Sequence, residues 1–222
     1  MSSIRVYIAL LLALTCASAL ALALWPSLDL ATARYFYGDS GFIGGAAFER
    51  FARAFFNVTP FVVLAAFGAL YALRRAGVAT PYAPSGRALT FLIATMVIAP
   101  GLVVNLGLKD HAHRPRPVHT RDFGGESEFR PWYKFDGGCV RNCSFVSGEA
   151  SEAFWMVAPA SLAPPPWRGA AIGAALLFGA ATGVLRMAFG GHYLSDVVLA
   201  ALLTLLIIEA TRRAIWRGAP RD

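Results

Sequence analysis

Lysine is almost missing from this chain: Lys109 and Lys134 stand alone against eighteen arginines among 222 residues. Charged residues of both signs make up only 15% of the sequence, whereas 57% is hydrophobic and the mean hydropathy is +0.55. A water-soluble domain of this length carries charge throughout, so this scarcity excludes an ordinary soluble globule. The charge that exists is gathered into short connectors between long apolar runs. That pattern predicts a single all-α membrane domain, polytopic, over residues 1–222. The formal net charge of +7 does not point to nucleic acid, because no stretch offers a basic, aromatic-studded soluble face. Cysteine is scarce as well. Cys16 falls inside the first apolar run, while Cys139 and Cys143 share a polar loop and could close a disulfide in an oxidising compartment. A matching second pair of zinc ligands is lacking; His111, His113 and His119 could supply some, but no metal site is expected.

Six apolar runs can be counted, at about 6–24, 55–73, 88–108, 148–163, 169–185 and 192–210. The first contains Ala17-Ser-Ala19, which resembles a signal-peptide cleavage site, but the run continues beyond it and reads as an uncleaved helix. The third contains Pro100, tolerable where neighbouring helices satisfy the freed carbonyl. The fourth is short, and the fifth offers Gly173, Gly179 and Gly183 for close helix packing. Arginines outside any candidate site (Arg5, Arg74, Arg75, Arg87, Arg168, Arg212, Arg213, Arg217 and Arg221) fall in the connectors of one face, which the positive-inside rule makes cytoplasmic. The opposite face then carries residues 29–54 with their Tyr35-Phe36-Tyr37 aromatic cluster, and the long polar loop 109–147. Residues 29–54 and 118–140 are expected to shape a binding pocket or to anchor at the interface.

Three short stretches on that face carry chemistry. Arg186-Met-Ala-Phe-Gly-Gly-His192-Tyr-Leu-Ser-Asp196 places a histidine and an aspartate four residues apart, on one face of a helix. Such a pair is as often structural as catalytic. As chemistry, His192 would be nucleophile or base, Asp196 would fix its tautomer, and Arg186 would grip oxyanions with its planar fork. Lys109 and Arg116 are separated by six residues at the head of the polar loop, and suit the neutralisation of a phosphoryl group or of anionic lipid. Ser147-Gly148-Glu149 opens the fourth run, where a hydroxyl and exposed N–H groups serve either as a plain helix cap or as an anion cradle.

The order Lys-x6-Arg-Pro, Ser-Gly, then Arg-x5-His-x3-Asp, at Lys109, Arg116, Pro117, Ser147, Gly148, Arg186, His192 and Asp196, resembles the type 2 phosphatidic acid phosphatase superfamily. The resemblance implies a membrane lipid phosphatase that needs no metal or other cofactor. His192 would attack phosphorus to give a phosphohistidine, Asp196 would orient the ring, and Lys109, Arg116, Ser147, Gly148 and Arg186 would bind the phosphate. Three positions depart from the family pattern: Val146 replaces Pro, Leu185 replaces Ser, and Glu149 replaces the His that serves as leaving-group acid. A protonated Glu149 is expected to take that role, with His111, His113 and His119 as alternatives. The Ser-Gly-Glu variant preceded by Cys-x3-Cys is similar to the lipid A phosphatase branch, implying a bacterial inner-membrane enzyme with its site facing the periplasm. Undecaprenyl pyrophosphate and phosphatidylglycerol phosphate are alternative substrates; a lipid phosphotransferase and a non-catalytic lipid-binding protein are the alternative functions.

Overall fold

The computed structural model describes residues 2–43, 46–109 and 111–217; Arg221 of the basic tail and the Arg5 side chain lie outside the described residues. α1, Ser2–Leu24, runs for 23 residues without glycine or proline and stops at Trp25-Pro26. α2, Ser27–Tyr35, follows at once, and a two-residue antiparallel hairpin, β1 Tyr37–Gly38 with β2 Gly41–Phe42, turns the chain into α3, Ala46–Arg75. The α3 helix ends on Arg74 and Arg75, cations suited to a helix C-terminus, just before Gly77 at φ +86°. Ser85 caps α4, Gly86–Met96, by accepting from the Ala88 N–H at 3.2 Å; the helix then continues as a π-helical stretch, Val97–Lys109.

The fourth apolar run forms two short helices, α5 Gly148–Phe154 and α6 Val157–Ala160, interrupted at Trp155-Met156. This differs from the single span expected there. Its buried side chains explain how it is held: Trp155 is fully buried and donates from Nε1 to Thr95 Oγ1 at 2.9 Å, and the Ser151 and Thr204 hydroxyls meet at 2.7 Å. The segment is therefore packed largely inside the bundle. α7, Pro165–Ala188, opens with prolines in its first turn, where no N–H is needed, and α8, Leu194–Ile215, closes the bundle. Among the described residues, five helices are long and apolar enough to cross a membrane: Val6–Leu24, Ala47–Arg75, Gly86–Lys109, Pro165–Ala188 and Leu194–Ile215.

Two of the four α7 glycines are used for close packing. A Cβ at Gly179 would lie 2.5 Å from the Phe154 ring, and one at Gly183 would lie 2.3 Å from Val197, so α5 and α8 both approach α7 closely. Gly173 has nothing within 4 Å, and its expected packing role falls away. The alternation of helix directions sorts the chemistry. The α2 helix, the start of α3, Lys109, the start of α5, the end of α7 and the start of α8 share one end of the bundle. Arg74, Arg75, Arg87, Arg168, Arg212 and Arg213 belong to the other.

Candidate active site

The first turn of α8 is the centre of a buried polar network. Asp196 accepts from the Tyr193 N–H at 2.8 Å, satisfying an orphan donor at the helix start. Its Oδ2 also accepts from the Ser144 hydroxyl at 2.5 Å, and Oδ1 accepts from Arg114 Nη1 at 2.6 Å. His192, 1% exposed, places Nδ1 2.7 Å from the Ser144 carbonyl oxygen. A carbonyl only accepts, so Nδ1 carries the proton and the neutral ring presents a bare Nε2. Asp196 Oδ2 stands 3.7 Å from Nδ1, outside hydrogen-bond range. The orienting acceptor is thus the Ser144 carbonyl and not the Asp196 carboxylate expected from spacing; Asp196 acts one step back, by fixing Ser144. Burial pushes the His192 imidazole down to about 4; Asp196 opposes this, while Arg186 and Arg116 add to it. The ring is neutral at physiological pH.

Arg114 is fully buried and spends its whole fork on this network. Nη2 donates to Asp29 Oδ2 at 2.7 Å, Nη1 also donates to Ser195 Oγ at 2.8 Å, and Nε donates to the Arg130 carbonyl at 2.8 Å. Asp29, on α2, in turn accepts from the Ser195 N–H at 2.8 Å and the Ser195 hydroxyl at 2.7 Å. The guanidinium lies over the Tyr193 ring, 4.3 Å from its centroid, with Phe129 at 5.7 Å. Neither Arg114 nor Asp29 is singled out by sequence reasoning, although a carboxylate just past a membrane span is a signal that could have flagged Asp29.

The predicted phosphate ligands gather around the same end. Arg186 is 3% exposed and folds back over the Gly190-Gly191 turn. A Cβ at Gly191 would lie 2.4 Å from Arg186 Nη2, which is why a side chain there would displace the guanidinium. Arg186 Nε and Nη1 are buried and receive no hydrogen-bond partner among the described residues. Gly148 is equally constrained: a Cβ would lie 2.6 Å from Asn105 Oδ1 and 3.5 Å from Lys109 Nζ, so the glycine lets the Lys109 ammonium lie against the start of α5. Ser147 caps that helix, its Oγ accepting from Ala150 at 3.3 Å, and its N–H donates to the Asp196 carbonyl at 3.2 Å. Among the described residues the Ser147 hydroxyl donates to no acceptor, so its proton is available for an oxyanion.

Arg116 is aimed by the cysteine loop. Its Nε donates to the Asn142 carbonyl at 3.1 Å and its Nη2 to Asn142 Oδ1 at 2.7 Å. Asn142 sits at φ +53° inside the loop that the Cys139–Cys143 disulfide closes. Backbone bonds from Cys139 to His113 and from Ser144 to Arg114 lay this loop along residues 113–114. One small covalent ring therefore positions Asn142 for Arg116 and, one residue beyond Cys143, Ser144 for His192. Glu149 lies between two guanidinia. Oε1 accepts from Arg53 Nη2 at 2.8 Å, and Oε2 is 3.1 Å from Arg186 Nε. Of the alternative proton donors, His111, His113 and His119 are all exposed, and His113 Nδ1 is engaged with the Cys139 carbonyl at 2.8 Å.

Comparisons with known proteins identify the family of the chain. The family pattern described as the PAP2 superfamily matches residues 88–219. The chain is 36% identical over 194 residues to a lipid A 4'-phosphatase of Francisella tularensis subsp. novicida, covering 82% of this chain and 84% of that protein. It is 37% identical over 165 residues to a lipid A 4'-phosphatase of Rhizobium leguminosarum, with 74% and 71% covered. A lipid A 4'-phosphatase of Rhizobium etli is 38% identical over 176 residues, with 78% and 66% covered. No solved structure gives a significant match. Matched over more than half its length, with three motifs brought together around one buried histidine, the chain belongs to the PAP2 superfamily.

Proposed function

We propose that the protein is a membrane lipid phosphatase, a phosphoric monoester hydrolase whose substrate is lipid A. The observation that carries this reading is the His192 Nδ1 contact with the Ser144 carbonyl, which leaves Nε2 as a neutral nucleophile beside Arg186 and Arg116. Nε2 attacks phosphorus as the bond from phosphorus to the lipid oxygen breaks, and the departing oxygen takes up a proton from solvent water. Water then attacks the phosphohistidine, releasing orthophosphate and restoring the imidazole. Lys109, Arg116 and Arg186, with the Ser147 hydroxyl and the Gly148 N–H, hold the non-bridging oxygens as charge develops.

Two further observations support an amphiphilic substrate. An apolar cleft of about 400 Å³ lies between α1, α5, α7 and α8, lined by residues including Leu14, Val184, Met187, Leu194 and Val198. Met187 and Leu194 follow Arg186 and Tyr193 directly, so an acyl chain in the cleft would bring its headgroup to His192. The arginines of the opposite end favour a bacterial inner-membrane orientation with the site facing the periplasm. In that setting residues 148–163 serve as the sixth crossing: the segment starts at Ser147 in the site and ends among residues packed on the far ends of α4 and α8. The test is phosphate release from lipid A, undecaprenyl pyrophosphate and phosphatidylglycerol phosphate in matched micelles. Lipid A should be turned over fastest, and His192→Ala should lose activity while remaining folded. Undiminished release by His192→Ala would sink the assignment.

A further inference from the structure

Glu149 occupies the position where the family has a proton-donating histidine, yet its surroundings are those of a permanently ionised carboxylate. Its two oxygens face Arg53 and Arg186, at 2.8 and 3.1 Å. Glu49, one turn before Arg53 on α3, completes the arrangement: its Oε1 lies 3.9 Å from Arg53 Nη1 and 4.0 Å from Arg186 Nη1. The four side chains form a closed ring of alternating sign, Arg53, Glu149, Arg186 and Glu49. Protonating Glu149 would break both of its ion pairs and leave Arg186, only 3% exposed, with poorly compensated charge. A group held in that way does not donate a proton to a leaving oxygen near neutral pH.

We infer that Glu149 is a positioning residue, setting the orientation of Arg186, and that Arg53 is a fourth cation of the anion site, contributed by α3 from outside the three sequence motifs. This deepens the phosphatase reading and rests on it. Arg53 is the exposed member of the ring, its side chain 42% accessible against 15% for Glu149. It is therefore the guanidinium that can rotate towards a headgroup anion while Glu149 keeps its second pairing with Arg186. Charge arithmetic favours the same assignment. An ionised Glu149 alone would repel a phosphate, but two guanidinia and two carboxylates make the ring neutral overall, so Glu149 adds no net negative charge and Lys109 and Arg116 stand outside the ring for the substrate. The ring also gives α3, whose middle packs through Leu64 and Phe67 on the far cluster, a direct tie to the site.

The experiment uses the full chain in detergent micelles with Glu149→Gln, Glu149→Asp, Arg53→Gln and the double variant Glu149→Gln/Arg53→Gln. Two quantities are read: kcat and KM for lipid A across pH, and the affinity for orthovanadate by thermal shift. Glu149→Gln should lower kcat about 10- to 100-fold, the scale of a misaligned catalytic group, without changing the shape of the pH profile. Glu149→Asp should recover part of that loss. Arg53→Gln should raise KM several-fold and weaken vanadate binding, and its effect should largely vanish once Glu149 is already Gln. Loss of the alkaline limb of the pH profile in Glu149→Gln would instead make Glu149 the proton donor and overturn the inference. So would wild-type KM and vanadate affinity in Arg53→Gln, or effects of the two substitutions that simply multiply. Failure of the wild type to release phosphate from any of the lipids counts against the phosphatase reading; the vanadate measurements judge the ring independently.

Discussion

Replacing Arg114 by Met tests whether the buried network behind His192 is held by charge. The guanidinium is fully buried, as is Asp196, and Asp29 is 1% exposed, so its removal leaves two carboxylates in the interior without their shared cation. Four donor contacts vanish together: to Asp29, Asp196, Ser195 and the Arg130 carbonyl. Breaking a buried ion pair by deleting one partner costs about 3–5 kcal/mol. For a chain of this size that is a fall of roughly 6–20 °C in Tm, taking ~2–4 °C for each kcal/mol. Met keeps much of the apolar stem over Tyr193, so lost packing contributes less than lost charge. The assay is thermal unfolding of the purified protein in one detergent, with phosphate release measured alongside. Asp29→Asn in the Arg114→Met background removes one of the two stranded charges, so the double variant should be more stable than the sum of the single effects predicts. A Tm within about 2 °C of wild type, less than ~1 kcal/mol on the same scale, would refute the reasoning, particularly with additive effects of the two substitutions.

Three further outcomes are expected. Because burial holds His192 near 4, well below its ordinary 6.5, the nucleophile stays unprotonated as pH falls through 6, and kcat/KM should decline only as pH approaches 4. By linkage the same depressed value makes folding stability fall between pH 6.5 and 4, where the unfolded chain takes up the proton first; an acid limb of kcat/KM at 6.5 or above counts against the buried neutral ring. Asn142→Ala, or reduction of the Cys139–Cys143 disulfide, should release Arg116 and raise KM for lipid A, measured by steady-state phosphate release; an unchanged KM after either treatment counts against the clamp. Gly191→Ala should cut kcat by displacing the Arg186 fork, whereas Gly173→Ala should leave activity intact and, by helix propensity, add up to about 1 kcal/mol of stability, as read by phosphate release and Tm.

What the sequence reveals and what it hides divide along physical lines. Apolar length is a property of local composition, so five spans and the site-bearing ends of α4, α7 and α8 can be read without coordinates. The fourth run cannot be assigned in the same way, because fifteen or so apolar residues suit a buried broken helix and a short span equally well. His192, Arg186 and Lys109 stand out by spacing. Arg114 does not, since an arginine in a polar loop looks solvated until Asp29, 85 residues away, is brought to it. The same applies to Arg53 and Glu149, 96 residues apart. Spacing also names the wrong acceptor for His192. A four-residue helical separation predicts proximity to Asp196, but backbone carbonyls are invisible in sequence patterns, and the Ser144 carbonyl is the nearer acceptor.

Arg186 carries a thermodynamic consequence beyond its place in the site. A buried guanidinium whose Nε and Nη1 make no well-aligned hydrogen bond among the described residues, with only the ion-paired carboxylates of Glu149 at 3.1 Å and Glu49 at 4.0 Å beside them, leaves part of its donor capacity unmet, which raises the free energy of the empty fold. An oxyanion that satisfies it relieves this, so binding and folding draw on the same unsatisfied capacity. The protein should be at its most resistant to unfolding while occupied, by substrate or by the phosphate it releases. Turnover thus carries it through a softer state each time the product leaves, and sustained phosphate would trade catalytic capacity for endurance.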